Sequence, residues 1–269
     1  MEELFLSNFD SKKATAKLKH YFPIYEEQFE KYKDKPINFF EIGINKGGDL
    51  QIWHKYFTKL NKIYAVDINE NCKSLEKILP NTTVFIGDQG NNSFLEMLSN
   101  NVEDIDILLD DGGHQFHQQI NSFKILFKKI KDDGLYLIED THSSYDNYAN
   151  LYPKDNVYGG GIGKKNTTIE FFKNLVDELT AWAYIKEHGV CPESGVPLAN
   201  TWFEFIKKYN LKETEMDYFR QNIHSITFYD SIIAIKKKSK IMPTIVNTNI
   251  NEYYENRFIT EEGKKNIKM

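Results

Sequence analysis

The sequence predicts an α/β fold: a doubly wound, mostly parallel seven-stranded sheet that ends in an antiparallel hairpin. Three observations carry this. Short apolar runs alternate with helical stretches from residue 37 to about residue 140, the pattern of successive right-handed βαβ crossovers. The runs are near-continuously apolar, as strands covered on both faces require. Finally, only Tyr229-Asp230-Ser231 separates Ile223–Phe228 from Ile232–Lys236. Three residues cannot make a crossover, so these two strands pair antiparallel.

The elements follow in order. The first 36 residues read as a helical segment: Leu18, Tyr21, Phe22, Tyr25 and Phe29 recur at helical spacing, and Lys35-Pro36 closes it. Ile37 to Ile44 is the first strand, with Asn45-Lys46-Gly47-Gly48 as its turn and Asp49 to Lys59 as the helix after it. Further strands are expected at Ile63–Ile68, Thr83–Ile86, Ile105–Leu109 and Leu135–Ile138. About 80 residues separate the fifth and sixth strands. They hold the glycine run Gly159-Gly160-Gly161-Ile162-Gly163 and helices near Thr168–Glu187 and Thr201–Tyr209. We read residues 146–210 as a cap inserted into a domain spanning 37–238, and 239–269 as a polar tail. Five parallel strands finished by a hairpin is the arrangement of the class I S-adenosylmethionine (SAM)-dependent methyltransferase fold.

Composition excludes some classes of function. Net charge is −5, and Arg220 and Arg257 are the only arginines, which disfavours a nucleic-acid partner. No apolar run approaches a membrane span and no signal pattern opens the chain, so a cytoplasmic location and no membrane partner are expected. Two distant cysteines, Cys72 and Cys191, suit a reducing compartment and a structural role.

In an open α/β sheet, ligands bind outside the carboxyl ends of the strands, and the motifs fall there. Phe40-Glu41-Ile42-Gly43-Ile44-Asn45-Lys46-Gly47-Gly48 is a strand running into a glycine-bearing turn. Gly43 and Gly47 allow close backbone approach, and Asn45 tolerates positive φ. The Gly-Lys-Ser/Thr ending of a phosphate loop is absent. Glu41 suits a cationic amino-acid moiety and repels a pyrophosphate. Asp67, about 20 residues on, is placed to accept ribose hydroxyls. Asp88 and Gln89 are candidates for the adenine edge. Each motif has a plainer reading, as a tight turn, a helix cap or loop polarity. Together they fit adenosine with a charged amino-acid tail better than they fit NAD.

The fourth strand ends in Leu109-Asp110-Asp111-Gly112-Gly113-His114 and the fifth in Ile138-Glu139-Asp140-Thr141-His142. Converging carboxylates are costly without a cation, and an all-oxygen set suits Mg²⁺ or a similar ion. Strand residues alternate faces, so Asp110 and Asp111 do not both serve it. Asp111, Glu139 and Asp140 are the expected ligands, and Asp110 is left to face the cofactor. A hydroxyl nucleophile also needs a general base: His142 is the first choice and His114 the second.

These runs, with Ser143-Ser144-Tyr145, Phe228-Tyr229-Asp230-Ser231 and the N-terminal His20-Tyr21-Phe22-Pro23-Ile24-Tyr25-Glu26, resemble those of metal-dependent sugar O-methyltransferases. That group includes macrolide-sugar and aminocoumarin-sugar enzymes and proteins described as cephalosporin hydroxylase-like. The resemblance spans most of residues 10–237. It implies Mg²⁺-dependent methyl transfer from SAM to a sugar hydroxyl. It also implies metal ligands at Asp111, Glu139 and Asp140, a base at His142, and a homo-oligomer as an implication of likeness alone.

The acceptor expected first is a nucleotide-activated sugar, such as a heptose, for a surface polysaccharide, with Lys164, Lys165 and Lys173 as candidate phosphate contacts. A catechol-like, phosphate-like or glycosylated natural-product acceptor is the alternative. A non-catalytic SAM-binding module and a nicotinamide-dependent dehydrogenase are the competing classes. Cap aromatics such as Tyr145, Tyr148, Tyr152, Tyr158, Trp182 and Trp202 offer faces for a sugar.

Overall fold

The structure, a computed structural model, describes residues 1–7, 15–145, 160–188 and 213–240. Seven strands form one sheet: β1 (Ile37–Ile42), β2 (Leu60–Asp67), β3 (Thr82–Ile86), β4 (Ile105–Asp110), β5 (Ile130–Ile138), β6 (Ile223–Phe228) and β7 (Ile233–Lys237). Their spatial order is β3-β2-β1-β4-β5-β7-β6. The first five pair in parallel, and β7 pairs antiparallel with both β5 and β6. The chain reverses direction across the sheet between β1 and β4. This is the switch point, where strand carboxyl ends part and leave a crevice.

The helices are α1 (Glu2–Ser7), α2 (Tyr21–Phe29), α3 (Gly48–Tyr56), α4 (Asn92–Asn101), α5 (Phe116–Leu126), α6 (Thr168–His188) and α7 (Glu213–Asn222). They cover both faces, and strand alternation divides the core accordingly. From β1, Phe39 joins Tyr25, Trp53, Ile107 and Leu137 on the face covered by α2 and α3. Its neighbour Phe40 joins Leu108, Phe123, Tyr136 and Phe219 on the face covered by α4, α5, α6 and α7. All six residues of β1 are buried, Asn38 and Glu41 included.

Two expectations are corrected. The N-terminal segment is not helical throughout: residues 15–18 form neither helix nor strand, and α2 begins only at Tyr21. The fifth strand also starts earlier than its apolar run, at Ile130, because Lys131-Asp132-Asp133-Gly134 enters it through an irregularity. Asp133 takes φ +63° there, a conformation an Asp accepts more readily than most residues, and the polar letters hide the strand. Elsewhere boundaries shift by one to three residues, with β6 as expected. Most of the cap, including Tyr148, Tyr152, Tyr158, Trp202, Cys191 and the helix expected at Thr201–Tyr209, lies outside the described residues, as does the tail beyond 240. The Trp182 side chain is likewise outside them. No helix among the described residues is long and apolar enough to cross a membrane.

Candidate active site

A cavity of about 450 Å³ opens at the switch point. That is within the usual range for a small-molecule site. Its floor is the turn after β1. Gly43 sits there at φ +84°, and a Cβ on it would lie 2.0 Å from the Asp111 carbonyl oxygen. Only glycine lets the β1 and β4 ends come this close. Asn45 takes φ +45°. The Asp67 carboxylate steadies the turn: Oδ2 accepts the amides of Ile44 at 3.0 Å and Asn45 at 2.8 Å, and Oδ1 accepts that of Asn69 at 2.9 Å. Gly43, Asn45, Asp67, Asp88 and Gln89 all line the cavity.

Three residues expected at the cofactor stand outside that lining. Gly47, at φ +77°, caps α3, and a Cβ on it would strike Leu75. Glu41 is fully buried beneath the cavity, accepting the Trp53 indole N–H at 3.1 Å. Asp110 is buried on the α5 face, bonded to the Gln89 amide nitrogen at 2.7 Å and near the Tyr136 hydroxyl at 3.4 Å. Burial pushes its carboxyl up to about 7, against the pull of those hydrogen bonds. Asp110 thus orients Gln89, whose carbonyl accepts the Gly113 amide at 3.1 Å.

The carboxylates are sorted by parity. Glu41, Asp111 and Glu139 continue the strand positions that face α2 and α3, and Asp110 takes the other face. Glu139 is buried. It accepts the Tyr25 hydroxyl at Oε1 and lies 2.8 Å from the Lys17 ammonium at Oε2. Burial raises its proton affinity, and Lys17 opposes the rise. Asp140 breaks the alternation with φ +52° and turns toward the cavity, which it lines with Asp111 and His114. Its Oδ1 accepts the Tyr21 hydroxyl at 2.5 Å, and its Oδ2 is 3.3 Å from His114 Nε2.

The two histidines differ in setting. His114, also at positive φ (+55°), lines the cavity with Nε2 3.9 Å from Asp111 Oδ1. Its buried Nδ1 makes no hydrogen bond among the described residues. His142 stands outside the lining, half exposed, with Nδ1 against the Ser231 hydroxyl and 3.9 Å from Asp140 Oδ1. Ser231, in the β6–β7 turn, also lies 2.8 Å from the Tyr21 hydroxyl oxygen, to which it donates while Tyr21 gives its one proton to Asp140.

Sequence reasoning missed Lys17, Asp49, Tyr21 and Tyr25. Tyr21 and Tyr25 lie one helical turn apart on α2, so they read as core, and only their hydroxyls reach the site. Lys17 Nζ is buried among Asp111, Glu139 and, at 3.3 Å, Asp49. Burial works against its charge, yet Glu139, Tyr25, Asp49 and Asp111 outweigh that and hold the ammonium well above the ordinary lysine range.

The donor set fits an oxygen-preferring divalent cation. Glu41, Asp49 and Glu139 each lie within electrostatic reach of Asp111 and of Lys17, the cation among them. Glu41 Oε1 is buried without a hydrogen bond among the described residues. Asp111, His114 and Asp140 each offer a donor atom within 4.8 Å of the others. Uncompensated negative charge of this kind is what a bound Mg²⁺ would offset.

No family model matches the chain. Several characterised proteins do. The 8-demethyl-8-α-L-rhamnosyl tetracenomycin-C 2′-O-methyltransferase of Streptomyces olivaceus is 30% identical over 167 residues, 59% of this chain and 41% of that protein. The mycinamicin VI 2″-O-methyltransferase of Micromonospora griseorubida is 33% identical over 187 residues, 65% of this chain and 44% of that one. The chain is thus similar to characterised sugar O-methyltransferases over part of their length. A third such relative, the demethylmacrocin O-methyltransferase of Streptomyces fradiae, is 31% identical over 184 residues. The chain spans about two fifths of the length of these relatives. Among solved structures, the MycE methyltransferase of the mycinamycin pathway, in complex with Mg, SAH and mycinamycin VI, superposes with a TM-score of 0.62 at 23% identity. That match covers 88% of this chain and 54% of MycE. A second MycE structure, with Mg and SAH, gives 0.65. The fold is thus that of the SAM-dependent methyltransferases.

Proposed function

We propose that this chain is a SAM-dependent, divalent-metal-assisted O-methyltransferase whose acceptor is a hydroxyl on a sugar carried by a small molecule. The observation that carries the proposal is the meeting of Asp111, Asp140 and His114 at the mouth of the switch-point cavity, with Glu139 buried behind them. The relatives supply the acceptor class: their names specify rhamnosyl tetracenomycin, demethylmacrocin and mycinamicin. They favour a glycosylated natural product over the nucleotide-activated sugar for a surface polysaccharide that was expected first. Lys173 gives the latter no help, since it is exposed and paired with Glu170 at 2.6 Å.

In this reading Asp67 takes the ribose hydroxyls, and Asp88 and Gln89 the adenine edge. Gly43 and Asn45 let the methionine part approach the backbone, while Glu41 lies below it with its carboxyl pushed well above the usual carboxylate range by burial and by Asp49. Asp111, Glu139 and Asp140 would hold the metal. Once bound, the metal lowers the pKa of the acceptor hydroxyl and fixes its position. The hydroxyl oxygen attacks the methyl carbon of SAM, the carbon–sulfur bond breaks, and the departing thioether is S-adenosylhomocysteine (SAH). The hydroxyl proton passes to His114 Nε2, which lines the cavity and presents a free lone pair once Asp140 turns from it to the metal. His142 is a less direct base, because its ring is turned to Ser231.

Incubation with SAM, Mg²⁺ and separate panels of rhamnosylated polyketides, macrolide sugars and nucleotide sugars tests the proposal. Mass spectrometry should find one added methyl group in the first or second panel, and none with Asp111→Asn. Transfer only to nucleotide sugars would restore the other acceptor class. No transfer to any panel, with SAM bound, would count against the O-methyltransferase reading.

A further inference from the structure

We propose that Lys17 is an intramolecular counter-ion that closes the carboxylate cluster and must be displaced for a divalent cation to enter. The inference rests on reading Asp111 and Glu139 as metal ligands. Lys17 Nζ bonds Asp111 Oδ2 and lies 2.8 Å from Glu139 Oε2. A Mg²⁺ bonded to those oxygens at about 2.0–2.1 Å would need the same space. An ammonium has three donors and no lone pair, so it cannot become a ligand, and two cations there would repel. Ammonium and metal are alternatives.

The backbone carrying Lys17 is suited to exchange. Residues 15–18 belong to no helix or strand, so no ladder of backbone bonds must break when they move. The Thr15 hydroxyl and the Lys17 ammonium both tie this stretch to Asp49, which is itself 6% exposed. Thr15 and Ala16 also line the cavity. Displacing Lys17 would therefore move part of the cavity wall and couple metal loading to cofactor access. One arrangement competes: Asp111 Oδ1, His114 and Asp140 Oδ2 could hold an ion on the cavity side with Lys17 still in place.

The test uses the full chain and Mn²⁺ as the probe. Mn²⁺ affinity is measured by electron paramagnetic resonance for the wild type and Lys17→Met, and amide hydrogen exchange is followed at residues 15–20 of the wild type with and without saturating Mn²⁺. Displacement predicts at least tenfold tighter Mn²⁺ binding by Lys17→Met and faster exchange at residues 15–20 when the wild type is loaded. Mn²⁺ binding with unchanged or slower exchange at 15–20 overturns the proposal, whatever the variant's affinity, and leaves the metal reading intact. Failure of both proteins to bind Mn²⁺ removes the metal reading and the proposal with it. Should Lys17→Met fail to fold, the exchange measurement on the wild type decides alone.

Discussion

His114 Nε2 and Asp140 Oδ2 face each other at 3.3 Å across the mouth of the cavity, each reaching it from a residue at positive φ. A left-handed backbone conformation in a non-glycine residue costs free energy and persists where its surroundings enforce it. In the proposed reading the pair stands at the reacting end of the cavity, and the first prediction separates the two histidines. His114→Ala should lower kcat by about 10²–10⁴-fold, the usual worth of a general base. His142→Ala should stay within a few-fold of wild type. Steady-state methyl transfer by both variants checks this, and the opposite ranking would move the base to His142.

Tyr25 donates its hydroxyl to a buried carboxylate that also takes Lys17. In Tyr25→Phe, Glu139 loses one donor and stays buried. Leaving a buried acceptor short costs about 1–3 kcal/mol. Chemical denaturation of the metal-free protein should give a loss of that size, and added Mg²⁺ should recover part of it.

Gly43→Ala tests how closely β1 and β4 meet. The added methyl would fall 2.0 Å from the Asp111 carbonyl oxygen, on a residue at φ +84°. Both steric overlap and backbone strain then apply, and the expected loss is about 3 kcal/mol or more. Because the clash displaces Asp111, metal affinity should fall with stability. Thermal melts with and without metal would read both effects. A variant as stable as wild type would mean that the strand ends part freely.

Much of this arrangement was legible in the sequence, and the reason is parity. Apolar runs such as Phe39-Phe40 and Leu108-Leu109 betray strands buried on both sides, and a carboxylate just past each run is carried to the crevice. Alternation also explains why Asp110 and Asp111 part company, one to Gln89 and one to Lys17. Parity says nothing about contacts between distant segments. Tyr21 and Tyr25 were hidden inside an amphipathic pattern, and Lys17 in a lysine-rich stretch that reads as solvated. The proposal of His114 as base rests on backbone reversals at His114 and Asp140 that no pattern of residue types announces.

Cys72 offers a check on the turn beside Asp67. Its thiol is 3% exposed and donates to the Asn45 carbonyl at 3.0 Å. Burial, reinforced by the Asp67 charge, pushes the thiol up to about 11. The thiolate is the reactive form, and at pH 8 it makes up roughly one part in a thousand by that value. Iodoacetamide at pH 8 should leave Cys72 unmodified in the folded protein and modify it in urea. The folded-state reaction should quicken about tenfold per pH unit as the pH rises toward 11, because the shift favours the protonated form below it. Peptide mapping distinguishes Cys72 from Cys191.

The central claim is that the switch-point cavity is a SAM site, and titration calorimetry with SAH in the presence of Mg²⁺ tests it most directly. Asp67 lines that cavity and holds the turn after β1 by two amide hydrogen bonds. The account predicts micromolar binding by the wild type and at least tenfold weaker binding by Asp67→Ala. Absence of binding by a folded wild type, or equal binding by both proteins, would contradict it.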